Sequence, residues 1–115
     1  MADFIGSANF VPGRYDGHSI DVFGYRRPHA QDIASGPVTV MVRPEAIEFA
    51  REGEEGVEAT YLSSAYLGPV TEYIFDIGGV EVFATISGLG MSSARRGDTV
   101  LLRFNEAGVS LLPPE

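Results

Sequence analysis

The chain has no lysine and no cysteine among its 115 residues. Without lysine, no ammonium can touch a P-loop phosphate, form a Schiff base or fill the strand position of a kinase. Without cysteine, disulfides, thiolate zinc sites, iron–sulfur ligation and thiol nucleophiles are excluded. No apolar run approaches the roughly 18–20 residues that span a bilayer. No charged, then greasy, then small-residue leader opens the chain, so a cytosolic protein is expected. Positive charge is scarce: eight cations, all arginine, stand against 16 acids, for a net charge of −8. That balance opposes nucleic-acid binding, which relies on Lys and Arg displacing counterions from a polyanion. The arginines pair locally (Arg26-Arg27, Arg95-Arg96) but form no stripe.

What is present is ordinary globular composition, 44% hydrophobic and 21% charged. The length fits one domain over residues 1–115, or at most two very small lobes. Fourteen glycines and seven prolines point to many short elements and many turns.

Strand signals fill the chain. Phe10 to Arg14 and Ser19 to Tyr25 bracket Tyr15-Asp16-Gly17-His18, and Asp-Gly between β-prone stretches marks a hairpin. Ile20, Val22 and Gly24 share a face, and Pro12 suggests an edge position for the first strand. Residues 26–36 read as a loop with at most one helical turn. Residues 37–43 alternate, with Val38, Val40 and Val42 toward the core and Thr39, Met41 and Arg43 away. Pro44 stops that ladder. Residues 51–56 read as a solvated, charged connector, and Val57 to Ser64 as a strand.

The clearest unit is Thr71–Ile77 and Val80–Ile86 around Gly78-Gly79, whose two-residue loop fixes the register. Ile77/Val80, Phe75/Val82 and Tyr73/Ala84 form the core face. The other face sets Asp76 against Glu81, a like-charge pair, beside the apolar pair Ile74/Phe83. Ile74 and Phe83 therefore need cover from another element or a partner. Residues 87–96 form a Ser/Gly/Arg loop. Thr99–Phe104, a turn at Asn105–Gly108 and Val109–Leu112 close the chain. The total is seven to nine short strands with little helix, arranged as all-β hairpins with barrel-like closure.

Chemistry is sparse. His18 and His29 have no metal-ligand spacing and read as exposed loop residues. Ser19 and Asp21 beside His18 cannot be a triad, because neighbours on a strand point apart. Asp76/Glu81 reads as exposed hairpin charge, and Gly88-Leu-Gly90 lacks the following helix that phosphate cradling needs. Nothing argues for an enzyme.

Four motifs in order do carry a resemblance. They are Phe4-Ile5-Gly6-x-x-Asn9-Phe10-x-x-Gly13, Val42-Arg43-Pro44-Glu45-x-Ile47, Tyr66-Leu67-Gly68-x-x-Thr71-Glu72-Tyr73 and Gly97-Asp98-x-Val100. Together they resemble the transport-associated OB (TOBE) domain of ABC importer ATPase subunits, of the polyamine/iron/maltose-type class. The resemblance implies an all-β, OB-like β-barrel with a second small β lobe, attached behind an ATPase domain. It implies no cofactor and no metal. The implied partners are the ABC ATPase core and a second copy of the same subunit, with the membrane subunits reached indirectly. The implied location is cytoplasmic, at the inner face of the membrane, with no direct insertion. The Walker A, signature-loop and Walker B segments are absent from this sequence, so ATP hydrolysis in the family's manner is not expected of it. Residues 1–9 then read as a lead-in from a missing upstream ATPase domain, with Met1 added or recruited as a start.

The candidate interface or regulatory residues are Arg43, Glu45, Tyr66, Gly68, Glu72, Ile74 and Phe83. Arg43 either pairs locally with Glu45 or anchors one lobe or partner on another. Gly68-Pro69 makes a turn, and Tyr66 and Tyr73 read as core or half-core. Two other functions compete: a free-standing sensor of a small ligand or anion, and a nucleic-acid OB fold. The sensor lacks the Ser-x-Arg-Asn-like signature of molybdate-binding relatives, and the OB fold would need aromatics in a basic groove.

Overall fold

Period-two alternation of apolar and polar side chains drives the longer strands, as in β4, where Val38, Val40 and Val42 turn inward while Pro37, Thr39 and Met41 do not. The computed structural model describes residues 8–87 and 95–112. It holds ten strands: β1 (Asn9–Tyr15), β2 (Ser19–Val22), β3 (Tyr25–Pro28), β4 (Gly36–Val42), β5 (Ile47–Phe49), β6 (Val57–Tyr66), β7 (Val70–Ile77), β8 (Val80–Ser87), β9 (Thr99–Phe104) and β10 (Val109–Leu112). Among the described residues the only helical turns are two short 3₁₀ turns, Pro44–Ala46 and Glu106–Gly108.

The strands form two antiparallel five-stranded sheets. The first lobe has the order β10-β4-β1-β2-β3, the second β5-β9-β6-β7-β8. The edges of the second sheet, β5 and β8, pack against each other, so that lobe rounds into an OB-like barrel. Its core is aromatic: Tyr73 and Phe75 stack with ring centroids 5.4 Å apart, and Phe49 meets both edge-on. Phe75 is fully buried. Burying a side chain of that size stabilises by about 1.5–3 kcal/mol. In the first lobe, the loop after β3 returns to the open edge of β10. There Gln31 imitates a strand: its Nε2 donates to Leu111 O (2.8 Å) and its Oε1 accepts from Leu111 N (3.0 Å).

The β7–β8 register is as the sequence predicts, from Ile77↔Val80 through Glu72↔Thr85. Five expectations change. Ten strands replace seven to nine, because β3 and β5 carry no sequence signal long enough to read. Ser19–Tyr25 is not one strand: Phe23 (φ 51°) and Gly24 (φ 88°) make a tight turn, and Asp21 Oδ1 accepts the Gly24 N–H at 2.9 Å. Gly24 thus leaves the Ile20/Val22 face. Residues 26–28, expected in a loop, continue from Tyr25 as β3 and pair with β2. Pro12 lies on an interior strand, but β2 pairs with β1 only at Arg14 and Tyr15, so one side of Pro12 has no ladder to interrupt. His29 is half-buried, not exposed; its ring meets Tyr15 edge-on and its Nε2 donates to Gln31 Oε1 at 2.9 Å. Gly88-Leu-Gly90 and the Phe4-Ile5-Gly6 stretch lie outside the described residues.

The lobes are locked together at several points. The chain crosses from β4 to β5 through the first 3₁₀ turn and back from β9 to β10 through the second. The two turns interlock: Asn105 N–H donates to Ala46 O (2.7 Å) and Arg43 N–H to Gly108 O (3.0 Å). Gly108 has no room for a side chain, since a Cβ there would run into Ala46 Cβ. The Tyr25 hydroxyl of β3 accepts the buried Phe104 N–H of β9 at 3.3 Å. The Phe23 ring lies directly over Gly78, so the β2–β3 turn sits on the β7–β8 turn.

Candidate functional site

The outward face of the β6–β7–β8 sheet is built by register. Ser63, Ile74 and Phe83 form one row across the three strands. Thr60, Asp76 and Glu81 form the next row on one side, and Ala65, Glu72 and Thr85 the next on the other. An apolar row thus runs between two rows that carry carboxylates. Phe83 is 50% exposed and Ile74 half-buried. Asp76 Oδ1 accepts the Gly79 N–H of the hairpin turn at 2.8 Å. None of Glu72, Asp76 and Glu81 is in an ion pair among the described residues.

Asn9 holds this face in place from the other lobe. The residue is buried at the start of β1. Its Nδ2 donates to Phe83 O (2.8 Å) and Val42 O (3.2 Å), and its Oδ1 accepts from Phe83 N (2.8 Å). One side-chain amide therefore satisfies both main-chain groups of Phe83 and ties β8 to β1 and β4. Sequence reasoning placed Asn9 in a motif but gave it no task. An amide acting as a strand neighbour has no signature beyond being polar among apolar residues.

The structure brings Glu72, Ile74 and Phe83 onto one face and scatters the other candidates. Tyr66 faces the opposite side, paired with Thr71 at the far end of the β6–β7 hairpin, and is 61% exposed. The expectation of core or half-core holds for Tyr73, which is buried, and fails for Tyr66, because the end of β6 from Ser63 to Tyr66 is exposed throughout. Gly68 (φ 95°) makes the expected turn, closed by Leu67 N–H donating to Val70 O at 2.9 Å. Arg43 immediately precedes the first 3₁₀ turn and Glu45 lies within it; the turn packs against β8, and the two charges meet only at 3.9 Å in solvent. Such a contact is worth about 0–1 kcal/mol.

Elsewhere several charges are paired locally. An open depression of about 640 Å³ is lined by Arg14, Asp16, Asp21 and Arg26. Arg26 is engaged there by Asp16 (3.0 Å) and Asp21 (4.0 Å). The Asp16 carboxyl is pulled down to about 2, first by the His18 N–H and then by the Ser19 N–H. Arg103 bridges Glu48 (2.7 Å) and Glu54 (2.9 Å), pinning the 51–55 loop. Glu54 is held below its ordinary range mainly by the Arg51 N–H. The described residues hold no group of three or more His, Asp or Glu placed to bind a metal.

Two interlocked all-β lobes, one of them an OB-like barrel, define an OB-type β domain. The particular family follows from comparison with known proteins: the TOBE domain family matches residues 40–112, and the chain belongs to it. It is 32% identical over 114 residues to the Fe(3+) ions import ATP-binding protein FbpC 1 of Pectobacterium atrosepticum, covering 97% of this chain and 32% of that protein. The Fe(3+) ions import ATP-binding protein FbpC of Photobacterium profundum is 31% identical over 117 residues, covering 98% of this chain and 33% of that one. The chain thus spans about a third of the length of these relatives. Among solved structures, the cytoplasmic molybdate-binding protein ModG shares the fold, with TM-score 0.71 at 13% identity, over 92% of this chain and 96% of that one.

Proposed function

We propose that the chain is a non-hydrolytic accessory lobe of an ABC importer's ATP-binding subunit and works by contact, stabilising subunit association and receiving regulatory signals. The observation that carries this is its alignment, over nearly its whole length, with about a third of Fe(3+) import ATP-binding proteins. The absence of lysine supports the non-hydrolytic part, since a Walker A phosphate loop needs one. On this reading residues 1–115 are a single domain, with 1–9 leading in from an ATPase domain. The partners are the ATPase core, a second copy of the subunit and, through them, the membrane subunits at the cytoplasmic face. The test is sedimentation of the chain with and without the ATPase core of one of these Fe(3+) import relatives. Co-sedimentation is expected; independent sedimentation at every concentration would remove the reading.

The competing reading is a free-standing sensor of a small ligand or anion, which the ModG likeness supports through the fold. The described depression favours it poorly, because two aspartates offset the two arginines there. Saturable binding of an oxyanion to the isolated chain would favour the sensor.

A further inference from the structure

We infer that the Ile74/Phe83 face docks a protein surface that presents an apolar side chain between Arg or Lys residues, and that a second copy of this chain is not its occupant. The inference deepens the contact reading above and rests on it for the premise that the chain works by contact. Three observations carry it. First, Phe83 exposes half its surface from a backbone that sits in register opposite Ile74 of β7 and has both its N–H and its C=O bonded to the Asn9 amide. A large ring on a fixed backbone loses little freedom on binding and suits an anchor. Second, the rows on either side carry Glu72, Asp76 and Glu81, none of them neutralised by an ion pair among the described residues. Asp76 and Glu81 stand directly opposite each other, an arrangement that weakens the hairpin carrying it. Third, a two-fold contact through this face would set these carboxylates near those of the partner copy. Like charges brought together at an interface are repelled, whereas a basic rim is attracted and steered.

The test titrates the isotope-labelled full chain with a short peptide of alternating Leu and Lys, and in parallel with one of alternating Leu and Glu. Amide chemical shifts report where each binds. The Leu/Lys peptide is expected to move amides around Ile74 and Phe83. Phe83→Ser should weaken it about tenfold. An ionic strength of about 1 M, where the Debye length is about 3 Å, should weaken it too. Asp76→Asn with Glu81→Gln should also lower affinity while leaving the shift pattern of the fold intact, because the side-chain amide oxygen introduced by Asp76→Asn can still accept the Gly79 N–H.

Equal response to the Leu/Glu peptide, shifts confined to other surfaces, or indifference to Phe83→Ser would overturn the inference. Shifts at this face that grow on concentrating the chain alone would overturn it too, by making a second copy the occupant. Sedimentation with the ATPase core separates it from the broader reading. Core association that survives Phe83→Ser removes this inference and leaves the accessory role standing. A wild-type chain that never meets the core removes the accessory role and leaves the peptide arm to decide.

Discussion

Replacing Asn9 tests whether the two lobes are coupled through one amide. Asn9→Ala deletes three hydrogen bonds, two to Phe83 and one to Val42 O. At about 0.5–1.5 kcal/mol net per bond, the loss is about 2–4 kcal/mol. With a urea slope of about 2 kcal/mol/M, the middle of the small-domain range, the midpoint should fall by about 1–2 M. Asn9→Asp sharpens the test. The protonated acid can still donate to one carbonyl and accept from Phe83 N, but the ionised form aims a carboxylate at the Val42 and Phe83 oxygens. Burial and those oxygens raise the folded-state pKa above the unfolded value of about 3.9, so the acid's contribution is present below that value and is lost as pH rises through the folded pKa. The deficit of Asn9→Asp against wild type should therefore grow between about pH 4 and neutrality, by about 1.4 kcal/mol per pKa unit. Urea melts of both variants at about pH 3.5 and pH 7 decide it. A deficit for Asn9→Asp that does not change with pH, or a loss under about 1 kcal/mol for Asn9→Ala, would refute the latch.

Asp16 should titrate near 2 by NMR. Because its folded pKa lies below the ordinary 3.8, its contribution is present above that value and fades as pH falls toward 2; Asp16→Asn should lack this part of the acid limb in a stability–pH profile. Gly78→Ala should cost about 1–3 kcal/mol, because the new methyl meets the Phe23 ring at a residue with φ 60°. Thermal unfolding of Gly78→Ala with and without Phe23→Ala checks it: the double variant should recover the part due to the ring.

The hairpin of β7 and β8 was legible residue for residue because Gly78-Gly79 fixes both its turn and its register. The exposed apolar pair and its acidic neighbours followed from that register alone. The turn at Phe23-Gly24 was hidden, since a phenylalanine at positive φ is no turn signature and is held there by its seat on Gly78. β5 has only three residues and follows a proline, too short for alternation to show. Tyr66 comes to the side of Thr71 only because a β-bulge between Tyr61 and Ser63 reverses the alternation of β6, and it still faces solvent; neither the bulge nor the end of the cover is written in the local pattern. Asn9 was illegible for the opposite reason: its partners are 33 and 74 residues away, and no local pattern encodes them.

The interlocked 3₁₀ turns make the barrel a detour. The path leaves the first lobe after Arg43 and rejoins it at Gly108, and those two residues are hydrogen-bonded to each other. β1 and β10 both lie against β4. A pull applied between residues 9 and 112 would thus be carried as shear within the first sheet, and would reach the barrel sideways, through the Asn9 amide on Phe83, rather than along the chain. The outer lobe could gain, exchange or shed that cargo without being rethreaded.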